Sequence, residues 1–215
     1  MTPRPRIAVV DYGAGNLRSV ARALLRSGLD PVVADTPEAL AGADALVLPG
    51  VGAFADAMES LRARGLDQAV IESIRSGRPY LGLCLGLQLL YQESDEHALT
   101  RGFGLLPGRV ERFPGRTADG GRLRVPHIGW NQVRFQGDHP MCAELPGEDC
   151  FYFVHSYRAI PADAKQTVGV TEYGGAFAAA VARDNVFAVQ FHPEKSQSAG
   201  KRLLDGFARW LSKCA

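Results

Sequence analysis

Two short segments carry residue types that can do covalent chemistry together. The first is Gly82-Leu83-Cys84-Leu85-Gly86-Leu87-Gln88, where a strand pattern gives way to a helix pattern. Glycines two before and two after the cysteine suit a sharp turn whose close backbone packing leaves no room for Cβ atoms. That is the nucleophile-elbow arrangement with sulfur in place of oxygen. A free thiol is mostly protonated at neutral pH, and a helix N-terminus or a nearby histidine shifts it toward the reactive thiolate. The second segment is Phe191-His192-Pro193-Glu194, following the strand-like run VFAVQF. An imidazole can move the proton of a thiol nucleophile, and a carboxylate fixes the tautomer of that imidazole and stabilises its cation. His-x-Glu across a proline offers both groups from one rigid turn.

A tetrahedral intermediate formed on Cys84 needs backbone N–H donors, each worth about 2.7–4 kcal/mol of barrier. Leu85, directly after the nucleophile, is expected to supply one. The segment Leu48-Pro49-Gly50-Val51-Gly52, at the end of a strand pattern, is a candidate for the other. Glycines on both sides of Val51 let the Val51–Gly52 peptide turn at little steric cost. A tight loop with glycines for purely steric reasons is the alternative.

G-x-C-x-G-x-Q followed much later by H-P-E resembles the class I, triad-type glutamine amidotransferases, and the resemblance covers nearly the whole chain. It implies that Cys84 attacks the carboxamide of glutamine and forms a thioester. His192 then serves departing ammonia and the hydrolytic water, Glu194 orients His192, and Gln88 helps to hold the substrate. It also implies the Val51–Gly52 peptide as the second oxyanion donor, with Gly50 and Glu96 among the glutamine contacts.

Three more segments narrow the resemblance: Asp11-Tyr12-Gly13-Ala14-Gly15-Asn16, Pro126-His127-Ile128-Gly129-Trp130-Asn131 and Phe153-Val154-His155-Ser156-Tyr157. Together they look like the glutaminase subunits of imidazole glycerol phosphate synthases. That likeness implies that His155, Ser156 and Tyr157 hold the α-amino and carboxylate groups of glutamine. Asn16 is implied at a subunit interface near the oxyanion strand, Trp130 beside an ammonia exit, and Tyr152 and Lys195 at the interface. A plain sheet aromatic at Trp130 and a solvated Lys195 are the alternatives. The implied partner is a (β/α)8 barrel cyclase subunit that consumes the ammonia within histidine biosynthesis. A glutaminase feeding another synthase, or a silent regulatory subunit on the same scaffold, are the competing readings.

These groups must be positioned by a particular set of elements. The first half alternates strands and helices: RIAVVDY, a helix from Leu17 ending near Gly28, PVVAD, DALVLPG, helices around Phe54–Arg64 and Asp67–Ser76, then PYLGLC. That rhythm requires a parallel sheet with right-handed crossovers. After about Gly104 the runs shorten: GRVERF, NQVRF, FYFVHSY, QTVGVTEY, FAAAVARD and VFAVQF. They read as an antiparallel or mixed extension of the same sheet, closed by a helix from about Ser198 to Lys213. The expected fold is a single-domain α/β glutamine amidotransferase fold over residues 1–215, with a mixed, mostly parallel sheet flanked by helices. Arg116–Arg124 is the expected mobile loop.

Composition excludes more than it suggests. The chain has 215 residues, 46% of them hydrophobic, and a formal net charge of +1. This balance favours neither nucleic acid nor an anionic membrane. No leader-like segment precedes the first strand pattern, so the expected compartment is the cytoplasm. Cys142, Cys150 and Cys214 form no C-x-x-C pair and read as incidental thiols. His97, His127 and His139 lack ligand spacing, so no metal is expected. Gly13-Ala14-Gly15 invites a dinucleotide reading, but Arg18 stands where its third glycine belongs. No cofactor is expected.

Overall fold

The structure, a computed structural model, describes residues 5–143 and 145–214. Residues 1–4, where the absence of a leader was read, lie outside the described residues.

The chain opens with β1 (Arg6–Val10) and α1 (Leu17–Arg26). Next come β2 (Asp30–Ala34), α2 (Pro37–Ala41), β3 (Ala45–Gly50), α3 (Phe54–Ala63) and α4 (Leu66–Arg75). β4 (Tyr80–Cys84) runs straight into the single turn α5 (Leu85–Gln88). The shorter strands are β5 (Glu93–Ser94), β6 (Thr100–Arg101) and β7 (Gly108–Arg112). β8 (His127–Phe135), α6 (Pro140–Ala143), β9 (Glu148–His155) and β10 (Tyr157–Pro161) follow. The chain ends with β11 (Thr167–Glu172), β12 (Ala176–Arg183), β13 (Val186–Val189) and α7 (Gln197–Cys214).

Nine strands form one sheet in the order β2-β1-β3-β4-β13-β12-β11-β8-β9. From β2 to β13 every pairing is parallel, and from β13 to β9 every pairing is antiparallel. Side chains alternate between faces along a strand, so a strand covered on both sides reads as a continuous apolar run. In β1, Ile7 and Val9 join the core under α1 and α7, while Ala8 and Val10 join the core under α2, α3 and α4. No helix among the described residues is long and apolar enough to cross a membrane.

One reading needs correction. GRVERF does not extend the main sheet. β7 pairs with β10 and β5 in a separate four-stranded sheet, β10-β7-β5-β6. The cause is Ser156, where the chain leaves β9 in one sheet and enters β10 in the other. Arg116–Arg124 is organised as a turn: Gly120 N–H donates to Thr117 O at 3.0 Å and Thr117 N–H to Gly121 O at 2.9 Å. Tyr173 O–H then ties down Arg124 O at 2.7 Å. Helix α2 was not foreseen, although Thr36 caps it from Oγ1 to Ala39 N–H and Pro37 starts it, both readable start signals.

The register that matters most is β13 against β4, with Val186 beside Tyr80 and Val189 beside Leu83. Asn185 locks it from the preceding turn. Its Nδ2 donates to Ile74 O at 2.8 Å and Arg78 O at 2.6 Å, and its carbonyl accepts from Tyr80 N–H at 2.8 Å. Asn185→Ala leaves both of those side-chain-bonded carbonyls short of a partner. We expect a loss of about 1–3 kcal/mol of stability, measured by urea unfolding, with an unchanged m-value.

Candidate active site

The carboxyl ends of β3, β4 and β13 lie side by side, with Gly50 opposite Cys84. In parallel α/β sheets ligands collect at this edge. Cys84 sits on it at φ 53 and ψ −101, a left-handed conformation rare for a residue with a side chain. The turn is held by its glycines. A Cβ on Gly86 would run into Leu48 O, and one on Gly82 would meet Gly86 O at 2.7 Å and Ala188 Cβ at 2.9 Å. The elbow expected from the sequence is formed, and it lifts a nearly buried Sγ, with the residue 7% exposed, toward a cavity.

His192 arrives from the next strand over. Its Nδ1 meets Glu194 Oε1 at 2.8 Å with both side chains buried. Its Nε2 closes no hydrogen bond among the described residues and is turned toward Cys84. Burial by itself drives a proton off an imidazole. The Cys84 sulfur and the Glu194 carboxylate outweigh burial here and hold the His192 midpoint up at about 10. The turn is fixed from behind: His192 N–H donates to Tyr152 O at 2.9 Å, Ser196 Oγ to His192 O at 2.6 Å, and Tyr152 N–H to Ser196 Oγ at 3.0 Å.

The cavity over Cys84 measures about 430 Å³, enough for an amino acid. Val51, Gly52, Cys84 and Leu85 line it. Gln88, Glu96, His155, Ser156, Tyr157 and Lys195 also line it. Glu96 has a second duty, accepting the Phe54 N–H at 2.7 Å and so capping α3. Several expected residues lie off the cavity. Gly50 is buried beneath it between Tyr12 and Leu85. Asn16 is exposed and caps α1, its Oδ1 accepting from Ser19 N–H at 3.4 Å. Trp130 is 48% exposed and packs edge-on against Tyr152, with ring centroids 6.0 Å apart. Lys195 Nζ lies 6.0 Å from that same tyrosine ring.

Two functional groups escaped the sequence reading. Gln190 is fully buried and donates from Nε2 to Cys84 Sγ at 3.5 Å, while its Oε1 accepts from Gln88 Nε2 at 3.0 Å. Gln88 Nε2 also donates to Tyr157 O at 3.0 Å. Gln190 stands just before Phe191-His192-Pro193-Glu194, and a polar residue ending an apolar central strand was its signal. The other is a histidine relay. His155 Nδ1–H donates to Tyr157 O at 2.8 Å, leaving its Nε2 to accept from His127 Nδ1–H at 3.1 Å. His127 Nε2 then accepts from Asn131 Nδ2 at 3.3 Å, and Asn131 Nδ2 also donates to Glu172 O at 3.0 Å. Burial pushes His127 down to about 4 and His155 to about 3, so both rings are neutral, as the relay requires. Stacking on Tyr173 at 3.9 Å and on Phe153 at 4.7 Å clamps His127.

His192 binds its proton more tightly folded than unfolded, where its midpoint is 6.5. The stabilisation is therefore complete below pH 6.5 and drains away as the pH climbs toward 10. Glu194→Gln should lower the His192 midpoint by about 1–3 pH units, read from imidazole ¹⁵N shifts. It should also flatten the decline of melting temperature over that range.

Comparison with known proteins agrees with this geometry. Residues 8–209 match the family Glutamine amidotransferase class-I. The chain is 50% identical over 202 residues to the imidazole glycerol phosphate synthase subunit HisH of Syntrophotalea carbinolica, covering 94% of this chain and 98% of that one. It is also 50% identical over 206 residues to subunit HisH of Symbiobacterium thermophilum, covering 96% and 94%. Among solved structures, PurLQS from Thermotoga maritima superposes with a TM-score of 0.75 at 20% identity, covering 97% of this chain and 100% of that one, a likeness of fold alone. With elbow, imidazole and carboxylate at one sheet edge, the chain belongs to the class-I glutamine amidotransferases and, within them, to the HisH family of imidazole glycerol phosphate synthase subunits.

Proposed function

We propose that this chain is the glutaminase subunit of imidazole glycerol phosphate synthase, acting as one amidotransferase domain over residues 1–215. The observation that carries the reading is the Glu194–His192 pair turned toward Cys84, which lines an amino-acid-sized cavity, in a chain of the HisH family.

The chemistry follows from the groups present. Cys84 thiolate attacks the side-chain carbonyl carbon of glutamine, and the C=O electrons move onto oxygen. Leu85 N–H and the Val51–Gly52 peptide are the donors for that oxyanion. His192, which carries its proton at neutral pH, gives it to the departing nitrogen, and ammonia leaves a Cys84 thioester. The neutral imidazole then takes a proton from water, whose oxygen attacks the thioester. Collapse returns thiolate and imidazolium and releases glutamate. Gln190 steadies the sulfur anion from Nε2. Glu96, Gln88, His155, Ser156 and Tyr157 hold the amino-acid end, with the histidine relay fixing the backbone between β9 and β10.

Ammonia set free in water is protonated and lost as a nucleophile, so an acceptor must sit close. The partner is a (β/α)8 barrel cyclase subunit covering the cavity mouth, and the apolar surface offered to it includes Ile128, Trp130 and Val51, exposed at 59%, 48% and 43%. Asn16, Tyr152 and Lys195 contribute to that interface, and Trp130 flanks the ammonia exit. The ammonia reaches a phosphoribulosyl-formimino aminoimidazole carboxamide ribotide. Imidazole glycerol phosphate and aminoimidazole carboxamide ribotide leave, within histidine biosynthesis in the cytoplasm. The oxyanion site is incomplete until the partner signals.

Cys84→Ala should abolish glutamine-dependent cyclase turnover while added ammonia still supports it. A diazo-ketone analogue of glutamine should label the unaltered chain at Cys84 alone. Glutamine hydrolysis should rise when the cyclase subunit and its ribotide are added. Equal rates with and without them would sink the partner-dependent oxyanion site, and stimulation by a different synthase would reassign the partner.

A further inference from the structure

We infer that Gln88 is a positioning residue for the nucleophile: it holds the Gln190 amide with its N–H toward Cys84, so that the sulfur leaves the thioester against a donor. The kinetic part of this rests on the glutaminase reading, and the geometric part stands without it.

A side-chain amide carries an accepting oxygen at one corner and a donating NH2 at the other, in almost the same shape. Which corner meets a neighbour is decided by what that neighbour can do. Two such amides stand in series between β10 and the sulfur. Gln190 is 0% exposed and Gln88 4%, so both must find their partners inside the protein. Gln88 Nε2 donates to Tyr157 O and to Gln190 Oε1, each at 3.0 Å, and Gln190 Nε2 donates to Cys84 Sγ at 3.5 Å.

The far end of this series sets its direction. Tyr157 O is a carbonyl and can only accept. A reversed Gln88 would set its own oxygen against that carbonyl, and a reversed Gln190 would set its NH2 against the NH2 of Gln88. Each reversal loses a bond and faces like partial charges in a buried place. Both ends of the Gln88 contact are fixed. His155 Nδ1–H donates to Tyr157 O at 2.8 Å. On the other side α5 is pinned by the buried Tyr80 O–H, which donates to Gly86 O at 2.8 Å, and by Leu89 N–H, which donates to Leu85 O at 2.9 Å. The sulfur is therefore offered an N–H and never an oxygen.

The donor counts most when the hydrolytic adduct collapses. The C–S bond breaks, its electron pair goes to sulfur, and Sγ takes a full negative charge. A hydrogen bond to a charged acceptor is about twice as strong as one to a neutral acceptor. Gln190 thus favours the step that frees glutamate, and Gln88 acts on that step through Gln190.

Gln190→Met removes the donor from a residue that lies off the cavity lining. It should lower kcat about tenfold, with KM unchanged and the thioester accumulating in quenched reactions seen by mass spectrometry. Gln88→Met should lower kcat by a similar factor and raise KM as well, through its lost substrate contact. The double variant should lose no more kcat than Gln190→Met alone. Additive losses, or a kcat untouched by Gln88→Met, overturn the inference. A second measurement needs no variant. In the wild-type chain, alkylating Cys84 with iodoacetamide should shift the Gln190 side-chain NH2 signal in ¹⁵N–¹H spectra, and an unmoved signal overturns the inference. Should the wild-type chain fail to hydrolyse glutamine even with its partner, the glutaminase reading falls instead, and the spectra alone decide whether Gln190 faces the sulfur.

Discussion

The ladder between β4 and β13 brings two distant pieces of chain to one edge, Val189 beside Leu83 and, beyond them, His192 toward Cys84. Each later feature of the site inherits its position from that pairing. Gln190 reaches the sulfur because it directly follows β13, and Gln88 reaches Gln190 because α5 begins where β4 stops. The ladder is itself protected, since both strands are buried along their length. Its start is pinned by Asn185, which spans from the β12–β13 turn to the loop before β4.

Around this ladder the molecule separates rigid from adjustable parts. The elbow, the His192 turn and the histidine relay are each tied by several hydrogen bonds to neighbouring elements. Val51 and Gly52 stand apart, exposed or open, on a strand whose buried end rests on a tyrosine with an unused hydroxyl. Preorganised donors are the costly part of an oxyanion site. On the proposed reading, a site with one fixed donor at Leu85 and one adjustable donor in the Val51–Gly52 peptide can be graded by whatever turns that peptide.

The parallel half of the fold was legible because hydrophobic runs, glycine stops and helix periodicity agree with each other there. The nucleophile elbow was equally legible, since its glycines mark a contact too close for any side chain. The second small sheet was not, because β7 and an ordinary edge strand share the same alternating pattern and only Ser156 divides the two sheets. Gln190 and His127 were written in plain view, but their roles depend on partners far along the chain. Spacing cannot reveal that a histidine at 127 answers one at 155, or that a tyrosine hydroxyl ends under Gly50. Asn16 shows the converse: it caps α1, a local duty that residue type foretells.

The placement of β13 has a consequence for how the chain comes into being. This strand sits at the middle of the nine-stranded sheet, yet it is the last strand to be synthesised. Gln190 and Cys84, in contact in the finished fold, are 106 residues apart in sequence. A growing chain on the ribosome therefore carries its thiol beside an unfilled slot in the sheet over the 106 residues that separate Cys84 from Gln190. No base is near it, and no glutamine pocket is closed around it. Reactivity and fold are completed in the same event, when the final strand slides in between β4 and β12.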